Sequence, residues 1–202
     1  MEEKCPDIKS NVESLELYSD NYPFSLALRI SNFENEAEYK KFVNNCKNMI
    51  RKSIEYKLWR KYIVDILGVD KCMITQEHMS QVTIDVHHHL PSMDTVVRAI
   101  VNEKLNETKN FCTFDICTEV IELHFKNKIG YVALIESMHE KFHNGFLSIP
   151  IEVVRGDYNY FINTYSKHLD EADIEEIQAR MAVKHSNTTW SKDNYQIAVG
   201  AK

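Results

Sequence analysis

The sequence predicts an α+β protein, and three observations carry that prediction. Two short N-terminal segments alternate apolar and polar residues with period two, and several longer segments place apolar residues at helical spacing. A further short strand, Val82-Thr83-Ile84-Asp85-Val86, runs into a histidine triplet. The chain has 202 residues, enough for a hydrophobic core without disulfide staples. Apolar residues at 44% and charged residues at 27% are ordinary globular values, which excludes disorder for most of the chain. Five Gly and four Pro exclude collagen-like and linker-dominated architectures.

Taken in order, Leu15-Glu16-Leu17-Tyr18 and Phe24 to Ile30 flank the turn residues Asp20-Asn21-Tyr22-Pro23, a β-hairpin pattern. From Glu36 to Leu67 the positions Phe42, Met49, Ile50, Ile54, Leu58, Tyr62 and Leu67 follow helical spacing, and Gly68 ends the run. The segments 94–105 and 115–125 read as helices, and 134–143 as another, closed by Asn144-Gly145. Asp157 to His168 and Asp170 to Val183 each open on an acidic N-cap candidate. In the second of these, Glu171, Asp173, Glu175 and Glu176 read as a solvated face. The tail from Ser186 has no periodicity, and there is no internal repeat.

No apolar run reaches the ~18 to 20 residues of a membrane span, and Met1-Glu2-Glu3-Lys4 does not open a signal peptide. The expectation is a cytoplasmic chain without a membrane partner. The five cysteines, Cys5, Cys46, Cys72, Cys112 and Cys117, then read as reduced thiols.

The net charge of −6 conceals an asymmetry. Residues 1–38 carry nine acids against three bases, whereas residues 40–61 carry eight bases against Glu55 alone, a local +7. Salt-bridge lacing cannot explain a run with so few acids, and a phosphate backbone is the partner it suits. The candidate DNA-binding residues are Lys47, Arg51, Lys52, Lys57 and Arg60. Trp59, between Lys57 and Arg60, reads as a core residue.

Of nine histidines, five fall in two tight groups. His87-His88-His89 ends the strand, and His139 and His143 lie four apart and so share a helix face. A strand-end pair with a helical i, i+4 pair can close three or four nitrogens around one divalent ion.

Val86-His87-His88-x-x-Pro91, preceded by Trp59-Arg60 and Cys72-Met73-Ile74-Thr75, resembles the HNH, or His-Me finger, endonucleases. The stretch Leu123-His124-Phe125, Gly130 to Leu134 and His139 to Gly145 resembles their phage and intron-encoded branch. The likeness spans roughly residues 56–165; the first 35 residues and those after about 168 lie outside it.

The chain divides into three regions: 1–35 with the N-terminal β-hairpin, a nuclease domain over 36–168 with its preceding basic helix, and 169–202 with the C-terminal helix and tail. For the middle region the resemblance implies a ββα-metal core with helical insertions. It also implies a DNA endonuclease with one divalent ion, Mg²⁺ foremost and Mn²⁺ or Zn²⁺ as alternatives. Carried over residue by residue, His87 and His143 are metal ligands, His88 is the general base, and His139 braces the loop or orients the base. A register shifted by one makes His88 a ligand and His89 the base; Pro91 favours the first. Asp85 is a candidate hydrogen-bond partner for a ligand histidine. His124 is either a helix-packing or an active-site residue, and Asn127 a candidate for the structural Asn that other members place before the helix of the motif.

Many relatives hold zinc with four cysteines. Here only Cys72 remains, with Thr75, Ile135 and Met138 in the other places, so apolar packing is expected instead. The long interval from Pro91 to Tyr131 reads as a two-helix insertion. Two rival classes remain: a catalytically silent HNH-fold module that binds DNA or protein, and a structural zinc protein with a closed histidine site.

Overall fold

The computed structural model describes residues 30–107 and 110–184. The expected hairpin lies outside the described residues, except that Ile30 exchanges backbone hydrogen bonds with Phe111. The tail from Ser186 also lies outside them.

The basic segment folds as two helices, α1 (Glu36–Lys52) and α2 (Ile54–Asp65), where one was expected. Ser53 makes the break: its extended backbone ends α1, and its hydroxyl accepts from the Tyr56 N–H to cap α2. Asn35 caps α1, whose first turn is acidic and last turn basic, as the helix dipole favours.

β1 (Ile84–Leu90) contains the whole histidine triplet, so the histidines lie within the strand and not beyond it. α3 (Met93–Asn106) and α4 (Thr113–Phe125) form the inserted helix pair that the long interval predicted. Asn127 follows α4 with φ 55 and completes a Schellman closure, with Asn127 N–H bonding the His124 carbonyl and Lys128 N–H that of Leu123.

β2 (Gly130–Ile135) occupies the start of the segment read as helix; α5 (Glu136–His143) takes the rest. All but the last β2 residue are buried, so the run lacks the alternation that marks a half-buried strand. α6 (Tyr158–Tyr165) and α7 (Glu171–Met181) follow, capped by Asp157 and Asp170 as expected.

β1 and β2 pair antiparallel, Ile84 opposite Ile135 and His88 opposite Tyr131. Leu90 then pairs with Gly130, leaving His89 as a bulged residue. Gly130 is obligatory there, because a Cβ would stand 2.4 Å from the Leu90 carbonyl oxygen.

The sheet separates two apolar clusters. The larger joins α1 to α4 with Ile84, Val86, Tyr131 and Ala133; the smaller gathers Leu90, Val132 and Leu134 with Cys72, Ile74 and Met138. Period-two alternation therefore sends Val86 and His88 toward the helices and His87 toward α5; the bulge then puts Leu90 on the His87 side. Cys72 and Met138 pack within one apolar cluster, as their sequence context predicted. The four described cysteines are free, three of them buried.

On α7, Glu171, Glu175 and Glu176 are exposed as expected of a solvated face, whereas Asp173 turns inward. Asp173 is 2% exposed and accepts from Thr95 and Arg98 of α3, while Arg98 also pairs with Asp94 and Asp170.

Candidate metal centre

β1 presents His87 to α5, which returns His139 and His143 on its facing side. His87 Nδ1 lies 3.0 Å from His139 Nε2, which lies 3.0 Å from His143 Nε2. The three ligand atoms all fall within 4.8 Å of one another. A tetrahedral ion with metal–nitrogen bonds near ~2.0 Å would need nitrogens about 3.3 Å apart, so small side-chain adjustments fit one.

Exposure grades outward, from buried His87 through half-buried His139 to exposed His143, leaving the cluster open on the His143 side. Burial, then the charges of neighbouring imidazoles, lowers the His87 pKa to about 2. Burial and His143 also lower that of His139. Both rings are thus neutral near neutral pH, the form in which an imidazole can ligate a metal. Asp85 stands 3.9 Å from His139 Nδ1, beyond hydrogen-bond length, on the side of the ring away from the nitrogen that faces the cluster.

His88 departs from the role the resemblance gave it. Its ring points to the opposite face of the sheet, 7% of the residue is exposed, and it stacks on Trp59 and Tyr56. Its Nε2 lies 2.8 Å from His124 Nε2. His124 Nδ1 is 2.6 Å from the Val120 carbonyl and must donate to it, so His124 Nε2 accepts and His88 Nε2–H donates. Both imidazoles stay neutral: burial lowers His124 to about 4 and His88 well below its usual value. A general base needs reach to a water at the phosphate, and this ring has none. His124 is accordingly a packing residue.

The shifted register fares no better. It needs His88 at the metal, and its proposed base, His89, is 1% exposed with both ring nitrogens lacking hydrogen-bond partners. His139, expected to brace, sits instead between the other two ligand candidates. Asn127 serves the α4 closure and is not part of the cluster.

The basic residues divide. Lys47 pairs with Asp94 across α1 and α3. Arg60 donates to the Ile84 carbonyl and stands 3.7 Å from Asp85, bracing the start of β1. Arg51, Lys52 and Lys57 are exposed, and the Arg51 charge is near enough to help lower the His139 pKa. Trp59 is buried, as expected.

Sequence reasoning missed Phe142, whose ring packs 4.5 Å from that of His87, and Arg180 of α7, which donates to the His89 carbonyl. Phe142 lay visibly between the two helical histidines; no sequence signal pointed to Arg180.

Fold and site together define an α+β protein with a three-histidine candidate metal centre between a strand pair and the helix that follows it. The chain belongs to the bacteriophage G278-like virion protein family, whose model matches residues 2–197. The phage connection expected from the sequence is thereby supported at the level of the family. No curated protein and no solved structure matches the chain. Among the described residues, no helix is long and apolar enough to cross a membrane.

Proposed function

We propose that this phage protein is a metal-dependent phosphodiester hydrolase acting on DNA, of the HNH type that its motifs resemble. The observation that carries the reading is the convergence of His87, His139 and His143 at an edge open to solvent. β1 supplies His87 and α5, the helix that follows β2, supplies His139 and His143, a chain order that supports this reading.

The donor set is all imidazole, which suits Zn²⁺ or another first-row transition ion better than Mg²⁺, whose preferred ligands are oxygens. Such an ion supplies polarisation of a phosphoryl oxygen and a lowered pKa for water. The chain's own residues do the rest. His87, His139 and His143 would hold the ion, the Asp85 carboxylate faces the far nitrogen of His139 at 3.9 Å, and Arg51, with Lys52 and Lys57, would attract the phosphate backbone to the open side. His88 holds the site's scaffold by locking β1 onto α2 and α4.

Family membership favours a second reading, a catalytically silent virion component that uses the same histidines for a structural ion. Cleavage of plasmid and oligonucleotide DNA with Zn²⁺, Mn²⁺, Ni²⁺, Mg²⁺ or chelator separates the two. The hydrolase reading expects ion-dependent cleavage, lost in His143→Ala while circular dichroism stays unchanged, because His143 is exposed. A wild-type protein that binds one ion per chain and cleaves nothing would establish the silent component.

A further inference from the structure

We infer that Arg180 of α7 is a positioning residue of the metal centre, because its guanidinium joins the two elements that carry the three imidazoles. The inference rests on the metal-centre reading above. On β1, Arg180 Nη1 donates to the carbonyl of His89, the bulged residue two positions beyond the ligand His87. On α5, the guanidinium carbon lies 5.5 Å from the ring centroid of Phe142, which sits between His139 and His143 in sequence. Phe142 in turn packs edge-on against His87 at 4.5 Å and against His89 at 5.3 Å.

The guanidinium is itself held. Its Nη2 pairs with Glu176 one turn earlier on α7, and the side chain is only 17% exposed. Arg180 thus bonds one ligand-bearing element and lies over the other, and Phe142 fills the space between them. A planar fork can donate to a carbonyl and lie against a ring at once; an ammonium cannot reproduce both interactions. α7 is therefore part of the centre's scaffold, although its sequence lies outside the resemblance.

The role predicts a change in the geometry of the site, beyond any change in stability. Loss of a partner that orients a metal ligand typically costs ~10- to 100-fold in affinity. Arg180→Met keeps the aliphatic stem and removes both interactions; Arg180→Lys keeps a donor and loses the planar face. Co²⁺ titration of the folded protein, followed by its visible absorption, reads affinity and coordination geometry together. Arg180→Met is expected to bind Co²⁺ ~10- to 100-fold more weakly with an altered spectrum, and Arg180→Lys to fall between it and wild type.

A folded Arg180→Met protein with wild-type affinity and spectrum overturns the inference. If that variant does not fold, Arg180→Lys decides, and wild-type behaviour there overturns it equally. If wild type binds no Co²⁺, the metal reading itself fails. Arg180 is then judged by the ¹⁵N shifts of the His87 and His89 rings in the metal-free protein. Shifts that move in Arg180→Met show that Arg180 positions the histidine rings even though they hold no metal, and unmoved shifts refute any positioning role.

Discussion

Replacing His88 should damage folding and spare the metal centre. The imidazole fills a box made by Tyr56, Trp59 and His124, with ring centroids 6.1, 5.8 and 5.0 Å away. His88→Ala empties that volume, and truncating a buried ring of this kind costs about 2–3 kcal/mol, below the range for Phe because imidazole is smaller. It also strips His124 Nε2 of its donor His88 in a buried setting, adding about 1–3 kcal/mol. The sum, about 4 kcal/mol, is a large share of the ~5–15 kcal/mol that stabilises a typical domain. His88→Phe removes the cavity contribution: a somewhat larger ring fills the box, and the unpaired nitrogen costs about 1–3 kcal/mol besides any overpacking. Adding His124→Leu should restore part of that loss, because both polar partners are then gone.

Urea unfolding at constant slope measures each variant, and a Co²⁺ titration checks that the centre keeps its affinity. The decisive comparison is DNA cleavage. A His88→Phe protein as stable as wild type, with normal metal affinity and no cleavage, would refute the packing role and return His88 to that of general base.

Three further outcomes are expected. His124 has a folded pKa of about 4 against ~6.5 unfolded, so the stability it contributes is complete above pH ~6.5 and is lost as pH falls toward 4. The loss amounts to about 3 kcal/mol, and urea unfolding across that window should show a shallower pH dependence in His124→Leu. Gly130→Ala places a Cβ 2.4 Å from the Leu90 carbonyl oxygen and forces the bulge to shift; urea unfolding should register a loss of about 1–3 kcal/mol or more, as overpacking does. Changing Arg51 and Lys57 to Gln should weaken DNA binding and flatten log affinity against log salt by about one unit for each phosphate no longer neutralised. Lys47→Gln should leave that slope unchanged, because its ammonium already pairs with Asp94. Equal slopes in all three proteins would mean that DNA enters by another surface.

Much of the fold was legible in local chemistry. Caps at Asp157 and Asp170, the closing turn at Asn144-Gly145 and the helix pair between the strands all depend on residues a few positions apart. The break at Ser53 was hidden because apolar spacing runs through it unchanged, so periodicity alone cannot show that a hydroxyl has capped a new helix. β2 was hidden because a strand buried on both faces shows no alternation.

The sequence by itself determined the chemistry available: neutral imidazoles in two groups, an i, i+4 pair on one helix face, and one cysteine where a zinc knuckle needs four. Only the tertiary structure decided which imidazoles meet. Adjacent residues of a strand point to opposite faces, so His87 joins His139 and His143 while His88 turns into the aromatic core. Likewise, Lys47 and Arg60 count as basic residues in any linear reading, yet Asp94 on α3 and the Ile84 carbonyl on β1 hold them within the fold. Arg180 reaches His89 across 91 positions of chain, an interaction that no local pattern encodes because it exists only once α7 has docked.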